Sequence, residues 1–362
     1  MIIRFPQSAH AALKVAAGFC ARPPDPYSHL LVVAKNGDVR VCANGHDGQC
    51  VVKLPGALCE RPGSMLVRAD MLVALVGRLP DVEMVLELGK TSARLVSGSN
   101  SYRMGIIGDG SSFPGPIEAP LLPILLPAKQ FIRLLTFVQH AAASNDVRYY
   151  LNGIRLAKTK SQLEAIATDG HRLARAVESI EGDISADISE LIMPIAAVNK
   201  VLGVLSDEDN VRFGFDEYRY YIQDSAGLRY AGQLVVGQYP AVDRIIPQGD
   251  ASFTAESESL LACVTRACVL QSMDTMRYSG LRVAQKGDSL RLAYEGTDSG
   301  MEERAKVDAA GARAGDAKVN PAYLQDALAV MAGPVTFSIP ARGDQPVKIE
   351  QRDRMTLIQQ MR

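Results

Sequence analysis

Three short constellations in this 362-residue chain carry residue types that could do chemistry. Asp169 and His171 stand two apart in Thr168-Asp169-Gly170-His171-Arg172-Leu173. A carboxylate beside an imidazole is the start of an acid–base pair. Side chains two apart at a strand end need not meet, however, and no Gly-x-Ser-x-Gly nucleophile turn occurs in the chain. A turn residue satisfied by nearby backbone is the plainer reading of His171. Cys42, His46 and Cys50 are spaced by four, with Cys59 beyond. Zinc sites favour closer cysteine pairs. Asn44-Gly45-His46-Asp47-Gly48 therefore reads as a turn among strands at 30–34, 39–43 and 49–54. Leu88-Gly89-Lys90-Thr91 has the ending of a phosphate-binding loop, but that loop needs glycine where Met84 stands. Neither a metal nor a nucleotide cofactor is expected.

The elements that must position these residues follow from periodicity. Alternating apolar and polar runs at 147–156 and 163–167 predict neighbouring strands, with Tyr149 and Tyr150 on the first. Gly170 permits a tight turn after the second, and Asp169 can bond the backbone nearby. A helix, a short break and strands then recur three times, at 69–88, 195–215 and 321–339. The first two copies end alike, at Ser112-Phe113-Pro114 and Gln238-Tyr239-Pro240. Each copy follows an earlier helix, predicted at 7–21, 128–144 and 256–271. The second of these places Phe131, Leu134, Leu135, Val138 and Ala142 on one face, and the third Leu260, Leu261, Val264 and Ala267. Pro127 and Pro321 suit first helical positions, and Asn320 suits a cap. Repeats this long are duplicated domains, here 1–122, 123–250 and 251–362, joined by connectors at 119–127 and 247–252.

Apolar residues make up 47% and charged residues 22%, ordinary for a soluble globular protein. A net charge of −1 argues against a generally basic nucleic-acid binder. The helices nevertheless carry Lys14, Arg22, Arg68, Arg78, Lys129, Arg133, Lys200 and Arg266 in or at their ends, against Asp70, Glu256, Glu258 and Asp326. Singly these are ordinary solvated charges; if all six helices face one side, that side attracts phosphate. The longest apolar stretch, 121–126, contains Pro123 and is too short to span a bilayer. Six cysteines in a chain this long form no disulfide framework, and a cytoplasmic setting with reduced thiols is expected.

Tyr149-Tyr150-Leu151-Asn152-Gly153 followed by Ala167-Thr168-Asp169-Gly170-His171-Arg172-Leu173-Ala174 resembles the middle domain of the bacterial DNA sliding clamps, the beta subunits of DNA polymerase III. Both motifs stand at the family's mutual spacing, and weaker similarity covers the whole chain. The resemblance implies an α+β DNA-clamp fold. It would have three similar domains, each of two helices and two small antiparallel sheets, and two chains head to tail would make a six-domain ring. It implies a non-catalytic processivity factor that encircles duplex DNA without reading sequence. Its partners would be the DNA polymerase III alpha subunit, a separate clamp loader, and other polymerases and repair proteins. A divergent clamp paralogue for repair or a mobile element is the alternative within that class; a cytoplasmic enzyme using Asp169 and His171 is the alternative outside it.

Residue by residue, the resemblance implies a partner-peptide groove at Leu151, Thr168, Gly170, His171, Arg172, Leu173, Pro240, Arg244 and Ile245. Val347, Leu357, Gln360 and Met361 fall alongside, the last three within a tail that runs from Leu357 to Met361. DNA contacts map to Arg22, Asn145, Tyr149 and Tyr150, where strand packing is the plainer reading of either tyrosine. Subunit contacts map to Val269 and Leu270 on one side, with Tyr102 and Met104 opposite. The tail departs from the family's usual Met-Pro-Met-Arg-Leu: this chain reads Gln359-Gln360-Met361-Arg362.

Overall fold

The computed structural model describes every residue except 81, 109, 112, 121, 160, 181–189, 248–251, 275–278, 310–314, 341–342 and 362. The predicted domain boundary after residue 250 therefore lies outside the described residues. Among those described, six α-helices and 25 strands form, and every named strand pair is antiparallel.

The strands assort into four sheets. The first runs in the order β5 (Leu58–Arg61), β1 (Ile2–Phe5), β7 (Met84–Leu88), β8 (Ser92–Ser97) and β9 (Asn100–Gly105). The second runs β10 (Ile124–Pro127), β15 (Asn210–Phe215), β16 (Arg219–Asp224), β17 (Leu228–Gln233), β4 (Gly48–Lys53), β3 (Asp38–Gly45), β2 (His29–Lys35) and β6 (Gly63–Arg68). The third runs β14 (Glu190–Pro194), β11 (Gly153–Lys158), β12 (Gln162–Thr168), β13 (Arg172–Ser179), β25 (Arg354–Ile358), β24 (Val347–Gln351), β23 (Pro334–Ser338) and β18 (Ser252–Glu256). The fourth runs β21 (Gly300–Lys306), β20 (Ser289–Glu295), β19 (Leu281–Lys286) and β22 (Gly315–Val319). Each eight-stranded sheet is two four-stranded sets from different thirds of the chain, joined by one ladder, β17 to β4 or β13 to β25. Two compact units result: residues 1–132 with 196–234, and residues 133–195 with 235–362.

The helices are α1 (His10–Ala17), α2 (Ala69–Val76), α3 (Ala128–Gln139), α4 (Ile195–Leu202), α5 (Ser257–Met273) and α6 (Pro321–Ala329). Apolar spacing decides which face each buries. On α3, Phe131, Leu134, Leu135 and Val138 are fully buried, one stripe at the helical period. On α5 the buried stripe is Leu260, Cys263, Val264 and Ala267, with Leu261 beside it half-buried. α1 packs on α2, and α5 on α6.

Helix ends depart from the sequence reading where local polar chemistry intervenes. α1 is entered through a 3-10 turn, Gln7–Ala9, and stops at Gly18. Pro127 is not the first residue of α3. It ends β10 opposite Asn210, where a missing N–H still suits a strand end. α3 stops at Gln139 rather than 144, and shortly after it Asn145 takes φ 59°. Left-handed backbone cannot continue a helix, and asparagine tolerates it better than most residues. The predicted strand at 147–156 is likewise divided. Tyr149–Leu151 forms a 3-10 turn, and the strand starts only at Gly153. Asn152 fixes that turn by accepting from the Asp146 N–H at 2.9 Å and donating to the Asp146 carbonyl at 2.9 Å.

Asn320 caps α6, its Oδ1 accepting from the Ala322 N–H at 3.0 Å with Pro321 in the first turn. Asn320→Ala removes the acceptor and leaves an orphan donor. It is expected to cost about 1 kcal/mol, measured as a lowered urea midpoint with unchanged slope.

Candidate functional site

The turn between β12 and β13 is built by its own polar side chains. Thr168 Oγ1 donates to the Arg172 carbonyl at 2.6 Å and accepts from the Gly170 N–H at 3.1 Å. Asp169 Oδ1 accepts from the N–H groups of His171 and Arg172 at 2.8 and 3.0 Å, while Oδ2 accepts from Arg172 Nε at 3.0 Å. Gly170 sits at φ 90°, and a Cβ there would meet the Arg148 guanidinium at 3.0 Å. The Asp169 carboxylate is thus a turn clamp aimed at backbone and Arg172, and the exposed His171 imidazole is not its partner. That geometry removes the acid–base reading of the pair.

The turn forms one end of a groove of about 710 Å3. Leu151, Leu173, Val242 and Leu357 supply buried apolar wall. Thr168, Gly170, His171, Arg172, Pro240, Arg244 and Ile245 also line it, so ten of the thirteen residues implied by resemblance come together here. Ladder register explains the pairing of walls: Leu173 stands opposite Leu357 on β25. Directly opposite residues share a sheet face. Pro240 leads into a 3-10 turn, Asp243–Ile245, which lifts Arg244 and Ile245 to the rim.

Val347, Gln360 and Met361 do not line the groove. Val347 pairs with Ile358, one residue out of phase with Leu357, and so belongs to the other face. By the same alternation Gln359 lines the groove and Gln360 does not. Gln360 donates to the Gln345 carbonyl at 2.8 Å instead, and the Met361 N–H donates to Lys318 at 2.7 Å. Sequence reasoning missed Arg148, Ala241, Val242, Ile246, Pro247 and the loop Asp344-Gln345-Pro346 as lining residues, and held Gln359 only within the tail from Leu357 to Met361. Period-two counting from Leu357 carries the signal for Gln359; nothing local marks the loop. Tyr150, assigned by resemblance to DNA, also lines the groove and packs on its core. Tyr149 is 58% exposed, its ring edge-on to Tyr150 at 5.8 Å, and Asn145 is exposed in the same loop.

Arg172 is held from three sides. Besides Asp169, its Nη1 donates to Asp326 on α6 at 2.5 Å, and the Tyr323 ring lies 4.4 Å from the guanidinium carbon. Glu178, nearly buried, binds Arg133 of α3 at 2.7 Å and Arg354 of β25 at 2.9 Å.

The other predicted residues are placed as follows. Arg22 is exposed. Tyr102 and Met104 lie on β9, Met104 only 1% exposed and Tyr102 half-buried. Val269 is 49% exposed on α5 and Leu270 half-buried beside it. Of the basic helix residues, Arg68 pairs with Asp70, Arg133 with Glu178, Lys200 with Asp47 and Arg266 with Glu303. Lys14, Arg22, Arg78 and Lys129 are exposed and make no ion pair among the described residues. Cys42 and Cys50 occupy opposite faces of the β3–β4 ladder, since Cys50 stands opposite Ala43 and Cys42 opposite Val51. Burial pushes the Cys42 thiol up to about 11 and the Cys50 thiol well above its usual range. Residues 89–91 form the bend between β7 and β8, with no helix after it.

The fold is that of the DNA sliding clamps. DNA polymerase III subunit beta of Pseudomonas aeruginosa superposes with a TM-score of 0.91 at 21% identity, over the whole of both chains. The beta subunit of Streptococcus pyogenes gives 0.92 at 17% identity, again over both whole chains. In sequence, the central domain of the DNA polymerase III beta subunit matches residues 125–241. The Pseudomonas aeruginosa beta sliding clamp is 25% identical over 310 residues, 84% of this chain and 82% of that one. The Escherichia coli beta sliding clamp is 25% identical over 323 residues, 87% of this chain and 86% of that one. Along most of its length the chain is thus similar to bacterial beta sliding clamps, in sequence as in fold.

Behind Arg172, the ring nitrogens of His140 are shut off from solvent. Burial, reinforced by the Arg172 cation, lowers its pKa to about 4, against smaller opposing effects of Asp326 and Asp169. An unfolded histidine binds its proton near pH 6.5, so between pH 6.5 and about 4 the unfolded chain holds more protons. Stability should therefore fall as pH drops through that window. His140→Phe is expected to flatten this part of the profile, read from urea midpoints at pH 7 and 4.5. An unchanged slope would remove His140 as the cause.

Proposed function

We propose that two copies of this chain close into a ring of six domains, 1–122, 123–250 and 251–362 in each, that encircles duplex DNA and tethers DNA polymerase. The chain is a non-catalytic processivity factor. The observation that carries the ring is the set of joining ladders. β17 pairs with β4, and β25 pairs with β13 in the equivalent register. The third equivalents are β9 and β21, and each is an edge strand of its sheet. Pairing β9 of one copy with β21 of the other, twice over, completes the set and satisfies both edges. Tyr102 lies on the first of these strands, and α5, which carries Val269 and Leu270, packs against the second.

A ring retains DNA by enclosure, so strong phosphate contacts are unnecessary and would slow sliding. Half of the basic helix residues are already bound to carboxylates, which fits that economy. Arg22, Asn145 and Tyr149 are the exposed residues that we assign to touching DNA. Opening the ring falls to a separate loader, and the groove takes short apolar motifs of the polymerase alpha subunit, the loader and repair proteins. We place the protein in the cytoplasm. The described cysteines are free thiols, and no described helix is long and apolar enough to cross a membrane.

The ring is tested on DNA. The chain should sediment as a pair, stay on a nicked circle once loaded, and leave when the circle is linearised. Equal lifetimes on circular and linear DNA would contradict enclosure.

The groove is tested at its rim. Ile245 is 51% exposed, so Ile245→Ala removes an anchor contact without opening a core. It should weaken a leucine- and phenylalanine-bearing polymerase peptide by about 1–3 kcal/mol at unchanged melting temperature. Leu173 is 1% exposed and serves both wall and core, so Leu173→Ala should lower binding and stability together. Wild-type peptide affinity in folded Ile245→Ala would sink the assignment.

A further inference from the structure

The two joining ladders are equivalent in register, yet only one carries an open groove. Gln49 stands opposite Ala231 across β4–β17 and opposite Asn44 across β3–β4. Leu173 stands opposite Leu357 and Thr168 in the corresponding places. Position for position, Asn44, Gln49 and Ala231 replace Thr168, Leu173 and Leu357. Phe113 likewise corresponds to Tyr239: Phe113 packs on Leu31, Cys42, Val51 and Leu66 beside its join, and Tyr239 on the cluster that holds Leu173 and Leu357.

Beyond those aromatics the connectors diverge. Pro240 leads into a 3-10 turn that leaves about 710 Å3 open. Residues 114–120 make no helical turn, and a proline at 116 disfavours helical backbone before it. This extended segment runs over Gln49. The buried Gln49 amide donates to the Gly115 carbonyl at 2.8 Å and accepts from the Ile117 N–H at 2.6 Å. Asn44 Oδ1 accepts from the same amide at 2.9 Å, which fixes its orientation. Asn44 Nδ2 also donates to the Pro114 carbonyl at 3.4 Å. Ile117 and Ala119, two residues apart, press on Leu122, Tyr221 and Ala231, and only about 10 Å3 stays open beneath them.

Reading a strand's N–H and C=O with one amide while alternate side chains fill apolar wells is how extended peptides are recognised. We infer that the β17–β4 join is a second peptide groove, occupied by the chain's own residues 114–119. Its ligand class is an extended segment with two small or branched aliphatic side chains two residues apart, held through its backbone by Gln49. The proposal takes its class of ligand from the groove reading above and its geometry from this join alone.

The test uses the full chain and a labelled peptide, Phe-Pro-Gly-Pro-Ile-Glu-Ala, matching residues 113–119. Ile117→Ser with Ala119→Ser strips the resident anchors. The stripped protein should bind the peptide about tenfold or more tighter than wild type, and adding Gln49→Ala should abolish the gain. Adding Ile245→Ala instead should change nothing. Stripped, cooperatively melting protein that binds no tighter than wild type overturns the inference. Binding that Ile245→Ala removes overturns it too, while leaving the first groove standing. Should the stripped variant not fold, hydrogen exchange on Gln49→Leu decides. Release of the resident segment speeds exchange of the Ile117 amide about tenfold while β3 and β4 stay protected; unchanged exchange at Ile117 overturns the inference.

Discussion

The ladder between β13 and β25 is the constraint on which the groove depends. It sets Leu173 opposite Leu357, and with them the two apolar walls. Strand side chains alternate with period two, so a slip of one residue would present Ile358 in place of Leu357 and turn Gln359 away. The register is pinned at one end by the Thr168–Arg172 turn, whose hydroxyl and carboxylate satisfy three backbone N–H groups. It is pinned further along by Glu178, which ties Arg354 of β25 to Arg133 of α3. Removing both arginines would leave the nearly buried Glu178 carboxylate without a partner, a larger penalty than the pairs themselves are worth.

The same architecture appears twice, and the difference between the copies is chemical rather than geometric. Two leucines at equivalent register leave an apolar trough, which water solvates poorly and which a partner's side chains can fill. A glutamine and an alanine stand at those places, and with Asn44 in the place of Thr168 the two amides bind the chain's own connector. A buried amide left unbonded is costly. Gln49 therefore holds its strap closely, whereas Leu173 makes no such demand. Three changed side chains and a differently folded connector separate the occupied join from the open one on the same ladder.

Residues that look catalytic serve structure here. Asp169 clamps a turn, His46 Nε2 donates to Asp25 Oδ2 at 2.9 Å, and the Cys42 and Cys50 thiols are buried on opposite faces. Four basic residues on the helices are bound to carboxylates, leaving Lys14, Arg22, Arg78 and Lys129 as exposed cations. A modest charge of this kind suits the proposed enclosure of DNA without a tight grip.

Much of this was legible in the residues. Helical stripes such as Phe131, Leu134, Leu135 and Val138 marked their helices, because amphipathic period is a local property. The Thr168-Asp169-Gly170 turn was legible for the same reason: the groups that satisfy it lie within four residues. Ten groove residues followed from motif resemblance, since the chemistry that shapes that turn also shapes the groove's end. What sequence could not decide was partnership between distant strands. Pairing of β13 with β25, and of β17 with β4, joins residues more than 150 apart, and no local pattern selects one edge over another. Tyr150 lines the groove because the chain bends at Asn145 and Asn152, a turn that alternation alone had read as strand. Gln359 rather than Gln360 faced the groove because β25 fixed the phase. Sequence determined the elements and their polar ends; tertiary pairing decided which faces met, because hydrogen-bonded edges are chemically alike until packing chooses among them.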